Sequence, residues 1–507
     1  MIRLSIICSL FLFGFTVLDA QKEDYIWMFG YDNSPPVGNN ETYFFDFNQG
    51  SSPKGEAGLS PLWIRGNNAS ICDADGNLLF YTNGCHIANA NHEIMLNGSG
   101  INEGNFLEEF RQDTCAHYPG LQDVMILPDP ADENGYYLLH KTVEYDGEDI
   151  FINNIKYTYI DLTLNAGSGD VTEKNIDILP VDEVIFQSYL IAISKEDEQG
   201  WWISIIGQNE EIILINLDNN GFSIHDRIKM PVDFVENSNA SGATKFSPDG
   251  SGFAFYNAYD NLLLYDFDRS NGDFLNLREL NLRSISPTAI LFSSVEWSPD
   301  SRFLYVAIRD ELYQIDTWED NLEDGLVLID TWNGVQDPFS TTFHLLASAP
   351  DCKIYMCSTS GTFSYHVINK PDEKGTACDF IQQGIRLPFA SATATMPNFP
   401  RFRVDEDDKC DPTITSIFGD NVYYRRDMTV YPNPVRSVLT VEVPEGKKGR
   451  IVVFDMQGQL VWSGDGGGYQ DEVQVDLSGL EVGTYSVEFL PDDNKERLIY
   501  TSLITKI

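Results

Sequence analysis

An all-β fold, a seven-bladed β-propeller followed by a small C-terminal β-sandwich, is what this sequence predicts, and three observations predict it. Strand-like apolar runs alternate with Asp/Gly turns along the whole chain, almost no stretch has a helical period, and the turns recur at regular spacing.

The recurrence is clearest in the second half. Ser247-Pro248-Asp249-Gly250, Ser298-Pro299-Asp300-Ser301 and Ala349-Pro350-Asp351-Cys352 each precede an apolar run, and their aspartates are 51 residues apart, twice. Weaker copies lie upstream at Asp75-Gly76-Asn77, Asn134-Gly135 and Gln199-Gly200, which makes six turn-then-strand units. A period of about 40–50 residues with four strands per unit marks a propeller, whose blades bury their faces against one another. Tyr43-Phe44-Phe45-Asp46-Phe47 resembles an outer strand without a turn of its own, and Thr393 to Phe399 resembles a strand without an outer partner. The two ends are therefore expected to share a seventh blade.

The N-terminus carries one positive charge in Met1-Ile2-Arg3, then an apolar run from Leu4 to Val17 and a small residue, Ala20, before Gln21. That run is too short for a membrane span of about twenty residues and has the length of a secretory signal. Residues 1–20 are expected to be a cleaved signal peptide, and no later segment is apolar enough to span a membrane. The formal charge of -44 and pI near 4.2 would repel phosphate backbones, which excludes nucleic acid as a partner.

Seven cysteines remain after residue 20, and outside the cell they are expected to form structural disulfides. None is spaced as CxxC. Cys85 with Cys115 and Cys378 with Cys410 are the preferred pairs, each closing a loop of about thirty residues worth about 2–4 kcal/mol. Cys72, Cys352 and Cys357 have no assignment.

The Ser-Pro-Asp-Gly turns are similar to TolB-type and WD-type propeller repeats. Asp75 to Cys85, His92-Glu93-Ile94-Met95, Asn97-Gly98, Val367 to Pro371 and Pro397 to Pro400 resemble surface propellers of Bacteroidetes-type bacteria over roughly residues 60–405. No activity travels with that resemblance.

From Asp427 onward the chain resembles the type A sorting domain of type IX secretion cargo. The residues that carry the resemblance are Tyr431, Pro432, Asn433 and Pro434, the run Ile451 to Val461 with Gly458, the stretch Asp476 to Leu480, Gly483 and Tyr485, and the ending Ile504 to Ile507. By pattern alone these are alternating strands joined by Gly turns, as in a small sandwich. The expected organisation is a signal peptide over 1–20, a propeller over 21–405, a linker over 406–426 and a sorting domain over 427–507. The resemblance implies secretion or display at the outer-membrane surface, with the type IX machinery as a partner.

Catalytic signals are weak. His86, His92, His117 and His140 fall in the first two blades, without HxxxH or HExxH spacing, and are read as structural or loop histidines. Asp73-Ala74-Asp75-Gly76-Asn77 opens like a calcium loop but lacks the later Glu, and a hairpin turn explains it better. No cofactor is predicted, calcium being the one candidate ion, and no GxSxG elbow or phosphate-cradling loop is present.

Two function classes follow. One is a binding module that takes extracellular protein or glycan on a propeller face. The other is a secreted hydrolase or lyase with a carboxylate-lined or metal-dependent channel. Two stretches beyond the needs of the blade period, Asn97 to Gln122 and Asp316 to Thr341, carry Phe106, Phe110, Tyr118, Trp318 and Trp332. These suit stacking on sugar rings or packing on protein, while the plainer account packs them onto the propeller itself.

Overall fold

The computed structural model describes residues 21–31, 41–51, 53–57, 59–64, 66–104, 106, 118–145, 147, 150–180, 183–232, 242–259, 261–282, 293–337, 339–388, 391, 395–404, 410–414, 424–443, 447–455, 460–467, 472–491 and 498–507. The chain divides into two units, Met1–Ile417 and Phe418–Ile507.

The first unit is a β-propeller. Among the described residues its strands group into seven antiparallel meanders. The first has three strands, Ile26–Tyr31, Glu41–Asp46 and Pro53–Ala57. The other six have four each and begin with Ala69–Cys72, Val124–Asp129, Ile191–Ser194, Gly242–Phe246, Ser293–Trp297 and Phe343–Ser348. First strands such as Gly242–Phe246 and second strands such as Gly252–Asn257 and Phe303–Ile308 are buried on both faces, which is why the second strands read as continuous apolar runs, whereas a last strand such as Asp273–Leu280 is mostly exposed. A short strand, Val184–Ile185, bridges the third and fourth meanders by pairing with both Ile152–Asn153 and Gly207.

The repeated turns join first to second strands by one mechanism. Asp249 Oδ1 accepts from the Ser251 amide at 3.0 Å, and the Gly252 amide donates to Ser247 Oγ at 2.8 Å. Asp300 repeats this with the Arg302 amide at 3.1 Å, and Ser298 Oγ with the Phe303 amide at 2.8 Å. The residue after each aspartate is left-handed: Gly250 at φ +71°, Ser301 at +64° and Cys352 at +61°. Asp at the start of such a turn supplies the side-chain acceptor that holds this corner.

The shared seventh blade is corrected. The first meander is built wholly from residues 26–57, and among the described residues 395–400 form no strand. The first and last meanders close on each other through side chains. Phe45 meets Tyr355 edge-on at 5.4 Å, Phe29 meets Tyr365 at 5.8 Å, and the Tyr43 and Tyr365 hydroxyls lie 2.9 Å apart. A core of aromatic rings with paired hydroxyls joins the sheets without exchanging a strand.

The second unit is a β-sandwich. A five-stranded sheet is ordered Tyr424–Asp427, Leu498–Lys506, Gly483–Pro491, Lys448–Asp455, Leu460–Gly467, and a three-stranded sheet is ordered Val430–Tyr431, Val438–Glu442, Glu472–Asp476. Leu439, Val441 and Val475 of one sheet share a core with Ile451, Val453, Val487, Phe489 and Ile504 of the other.

Candidate functional site

The residues read as a lone strand near the propeller's end line no blade. Among the described residues, Ser391 and residues 395–404 run between the first strands of several meanders. Ser391 donates its amide to Thr362 O at 2.7 Å, and Tyr365 donates its hydroxyl to Thr395 O at 2.9 Å. Asn398 Nδ2 donates to Gln122 O and to Leu190 O, both at 3.0 Å. The Arg401 amide donates to Ala192 O at 2.8 Å, and its Nε to Phe246 O at 2.9 Å. Four meanders thus bond to one strap of chain, the Arg401–Glu296 pair adds a fifth, and the strap occupies the channel.

The charges inside are paired. The Arg401 guanidinium meets Glu296, whose other oxygen lies 3.6 Å from Lys245 Nζ. Burial alone would push the Glu296 carboxyl up, but Arg401 and Lys245 outweigh it and hold it below the ordinary glutamate value. Towards the other end, Lys141 and Asp123 pair at 3.2 Å, and where the strap leaves, Arg403 clamps Asp24. Beyond Arg403 the strap is tied to the seventh meander by the Cys352–Cys410 disulfide and by the Asp411 amide donating to Pro350 O at 2.7 Å.

This disulfide corrects one expected pair. Cys410 bonds to Cys352, at the left-handed corner of the third repeated turn, and Cys378 is a buried free thiol, as are Cys72 and Cys357. Cys378 follows a strand on the far side of its sheet, where Tyr305 and Phe380 surround it, so it cannot reach the strap. Cys85 is disulfide-bonded, and its expected partner Cys115 lies outside the described residues.

The histidines do not converge. His140 is buried between Asn102 Oδ1 at 2.6 Å and Thr158 Oγ1 at 3.0 Å, His92 sits 3.0 Å from the Tyr81 hydroxyl, His86 is half-buried on another strand, and His117 lies outside the described residues. Asp73 spends its carboxylate on the turn, accepting from the amides of Asp75 at 3.0 Å and Asn77 at 2.9 Å. Among the described residues no group of three or more His, Cys, Asp or Glu could hold a metal ion.

The long stretches also differ from expectation. Leu326–Thr331 is the fourth strand of the sixth meander, so part of residues 316–341 is blade. Phe106 and Tyr118 are buried, Tyr118 accepting from the Val143 amide at 2.6 Å, and Trp332 donates to Thr341 Oγ1 at 3.1 Å while packing on the core. Trp318 is exposed, 4.8 Å over the Arg302 guanidinium, and Phe110 lies outside the described residues.

The open cavity lies on the face of the repeated turns, where the strap emerges. Its volume is about 310 Å3, within the size range of small-ligand pockets, and it is lined by Glu23, Asp129, Ser194, Trp201, Arg269 and Phe402, with Glu198 and Val404 beside them. Trp201 meets Phe402 edge-on at 5.8 Å and donates its Nε1 to Pro128 O at 3.1 Å. Asp129 is oriented by the Tyr159 hydroxyl at 2.7 Å and the Ala131 amide at 2.9 Å. Arg269 is held at its backbone, where its carbonyl accepts from Trp202 Nε1 at 2.7 Å, and its stem crosses Gly250 so closely that a Cβ there would stand 2.4 Å from its Cδ. Its guanidinium makes no ion pair among the described residues. No signal in the sequence singled out this set, since each member comes from a different segment.

In the sandwich, Asn433 fastens the end of the chain: its Nδ2 donates to Leu503 O and its Oδ1 accepts from the Thr505 amide, both at 2.9 Å. Tyr431, Pro432 and Pro434 are exposed around it, with cis peptides before both prolines. Tyr485 donates to Glu481 O at 2.9 Å just after Gly483 opens its strand, and Gly458 lies outside the described residues.

Residues 429–500 match the family model for a secretion system C-terminal sorting domain. The tail is a type IX sorting domain, so the chain is cargo handled by the type IX secretion machinery, and secretion or display at the cell surface follows. No helix among the described residues is long and apolar enough to cross a membrane. No curated protein matches the chain. Among solved structures it is similar to a putative 6-phosphogluconolactonase from Bacteroides uniformis, at 12% identity over 73% of this chain and 98% of that one, with a TM-score of 0.37. A periplasmic gluconolactonase from Pseudomonas aeruginosa gives 12%, 74%, 97% and 0.36. Chaetomium thermophilum Sqt1, bound to the N-terminus of ribosomal protein L10, gives 12%, 73%, 83% and 0.31.

Proposed function

We propose that the mature protein begins at Gln21 after signal-peptide cleavage, and that its seven-bladed propeller works outside the cell as a binding module whose site is the turn-face cavity. The observation that carries this reading is the strap. A channel used for hydrolysis or elimination needs carboxylates free to act as acid, base or metal ligand. Here the axis is filled by residues 395–404, and Glu296 and Asp24 are committed to arginines that hold the strap in place. The cavity beside its exit keeps open volume, two aromatic rings and a guanidinium with no partner among the described residues. Sequence reasoning placed binding on the long stretches, and the burial of Phe106 and Tyr118, with Trp332 packed on the core and residues 326–331 paired as a strand, moves the proposal to this face.

The test is to label the mature protein and measure its binding to arrays of immobilised glycans and extracellular proteins, beside a Ser194→Trp variant that fills the cavity. The expected result is saturable binding that the variant weakens by about tenfold or more, since a filled pocket forfeits its buried contacts. Equal binding by the two proteins would overturn the assignment, and turnover of an array component would favour a hydrolase or lyase.

A further inference from the structure

We propose that the turn-face cavity is a subsite for a single uronic acid residue, its carboxylate seated on Arg269 and its ring against Trp201 and Phe402. The inference rests on the binding reading above and deepens it by naming the ligand class.

Three features select this chemistry. Arg269 offers a planar fork of donors that matches a carboxylate in two-point contact, and among the described residues no acidic side chain answers it. Its position is fixed from both ends, by the Trp202 indole on its carbonyl and by the Gly250 cradle under its stem, so little freedom is lost when an anion binds. The wall opposite is rich in acceptors. Asp129 is held in place by Tyr159 and the Ala131 amide, and Glu23 and Glu198 line the same space. Carboxylates accept only, so they call for a ligand that brings donors, and ring hydroxyls are donors. The apolar edges of Trp201 and Phe402 supply a surface for the C–H face of such a ring.

Charge limits the ligand to one acidic unit. The chain's formal charge of -44 opposes a polyanion at range, and Arg269 is the one cation in a lining that also holds Glu23, Asp129 and Glu198, so the cavity can seat one carboxylate at most. A volume of about 310 Å3 lies at the lower end of ligand pockets and suits one sugar ring. The fitting ligand is a uronate at the end of an otherwise neutral glycan.

The experiment titrates the mature full-length protein with methyl β-glucuronide and methyl β-glucoside, read by calorimetry and by tryptophan fluorescence. The glucuronide is expected to bind saturably and about tenfold or more tighter than the glucoside. Arg269→Gln should bring the glucuronide down to the level of the glucoside, and Arg269→Lys should keep part of the preference, with unchanged melting temperatures showing that both variants fold. Equal binding of the two sugars, undiminished glucuronide binding by Arg269→Gln, or no saturable binding would overturn the proposal. If the glucuronide fails while array binding that depends on Ser194 persists, the ligand class is wrong and the binding reading stands. If both fail, the reading falls with it.

Discussion

The propeller and the sorting domain differ in where their meaning is written. In the tail, fold and role sit in one contiguous stretch: the residues that carry the motif, Tyr431 to Pro434, are also those through which Asn433 fastens the terminal strand. In the propeller the fold is periodic but the site is assembled. Its cavity draws Glu23, Asp129, Trp201, Arg269 and Phe402 from five separate segments, and its channel is filled by residues that sequence periodicity takes for a strand. A repeat advertises an architecture because each unit must satisfy the same turn, whereas a face built between repeats has no period to reveal it.

The comparison can be sharpened by perturbing one region and watching both. The largest expected effect is from Arg401→Ala. Removing the guanidinium leaves Glu296 buried with Lys245, 3.6 Å away, as its one cation among the described residues and removes the side-chain bond that ties the strap to Phe246 O. Breaking a buried pair by deleting one partner costs about 3–5 kcal/mol. Denaturant titration should show that loss in the propeller transition, while hydrogen exchange in residues 424–507 stays unchanged. Equal loosening of the tail would mean that the two units do not behave separately.

A smaller effect comes from acid. His140, His344 and His366 are buried, and burial pulls each imidazole down to about 3 from an ordinary value near 6.5. The unfolded chain therefore takes up their protons first, so this stability is fully present above pH 6.5 and is lost as the pH falls towards 3. Burial pushes Asp123 up to about 6 and Asp351 up as well, so those two protonate first in the folded state and return part of the loss. Each proton of the histidines' uptake that these acids do not return costs about 1.4 kcal/mol per pH unit. Residues 427–507 contain no histidine. Exchange measured at pH 7 and pH 5, corrected for intrinsic rates, should loosen propeller peptides while sparing the tail, and a propeller as protected at pH 5 as at pH 7 would contradict the buried neutral histidines.

Much of the fold was legible. The aspartates at 249, 300 and 351 mark equivalent corners, and reading the aspartate instead of the glycine was sound, because the left-handed position itself changes from Gly250 to Ser301 to Cys352. The strap was misread for a physical reason: Thr393 to Phe399 alternates like a strand, but among its described residues Thr395 O accepts from the Tyr365 hydroxyl and the Asn398 side chain donates to Gln122 O and Leu190 O, so its bonds go to several meanders instead of along one strand. The Cys410 partner was hidden for a related one. Short loops favoured Cys378, whereas the strap carries Cys410 to a turn 58 residues upstream of it. The cavity was not legible at all, since nothing local distinguishes Arg269 from other turn arginines until Gly250 and Trp202 are seen to hold it.

The central claim is that delivery resides in the tail and recognition in the propeller. The most direct test is to delete residues 427–507 in the native host and fractionate the cells. The account predicts a folded propeller retained in the periplasm, with its ligand binding intact. A truncated protein that reached the surface or the medium as the full chain does would contradict it.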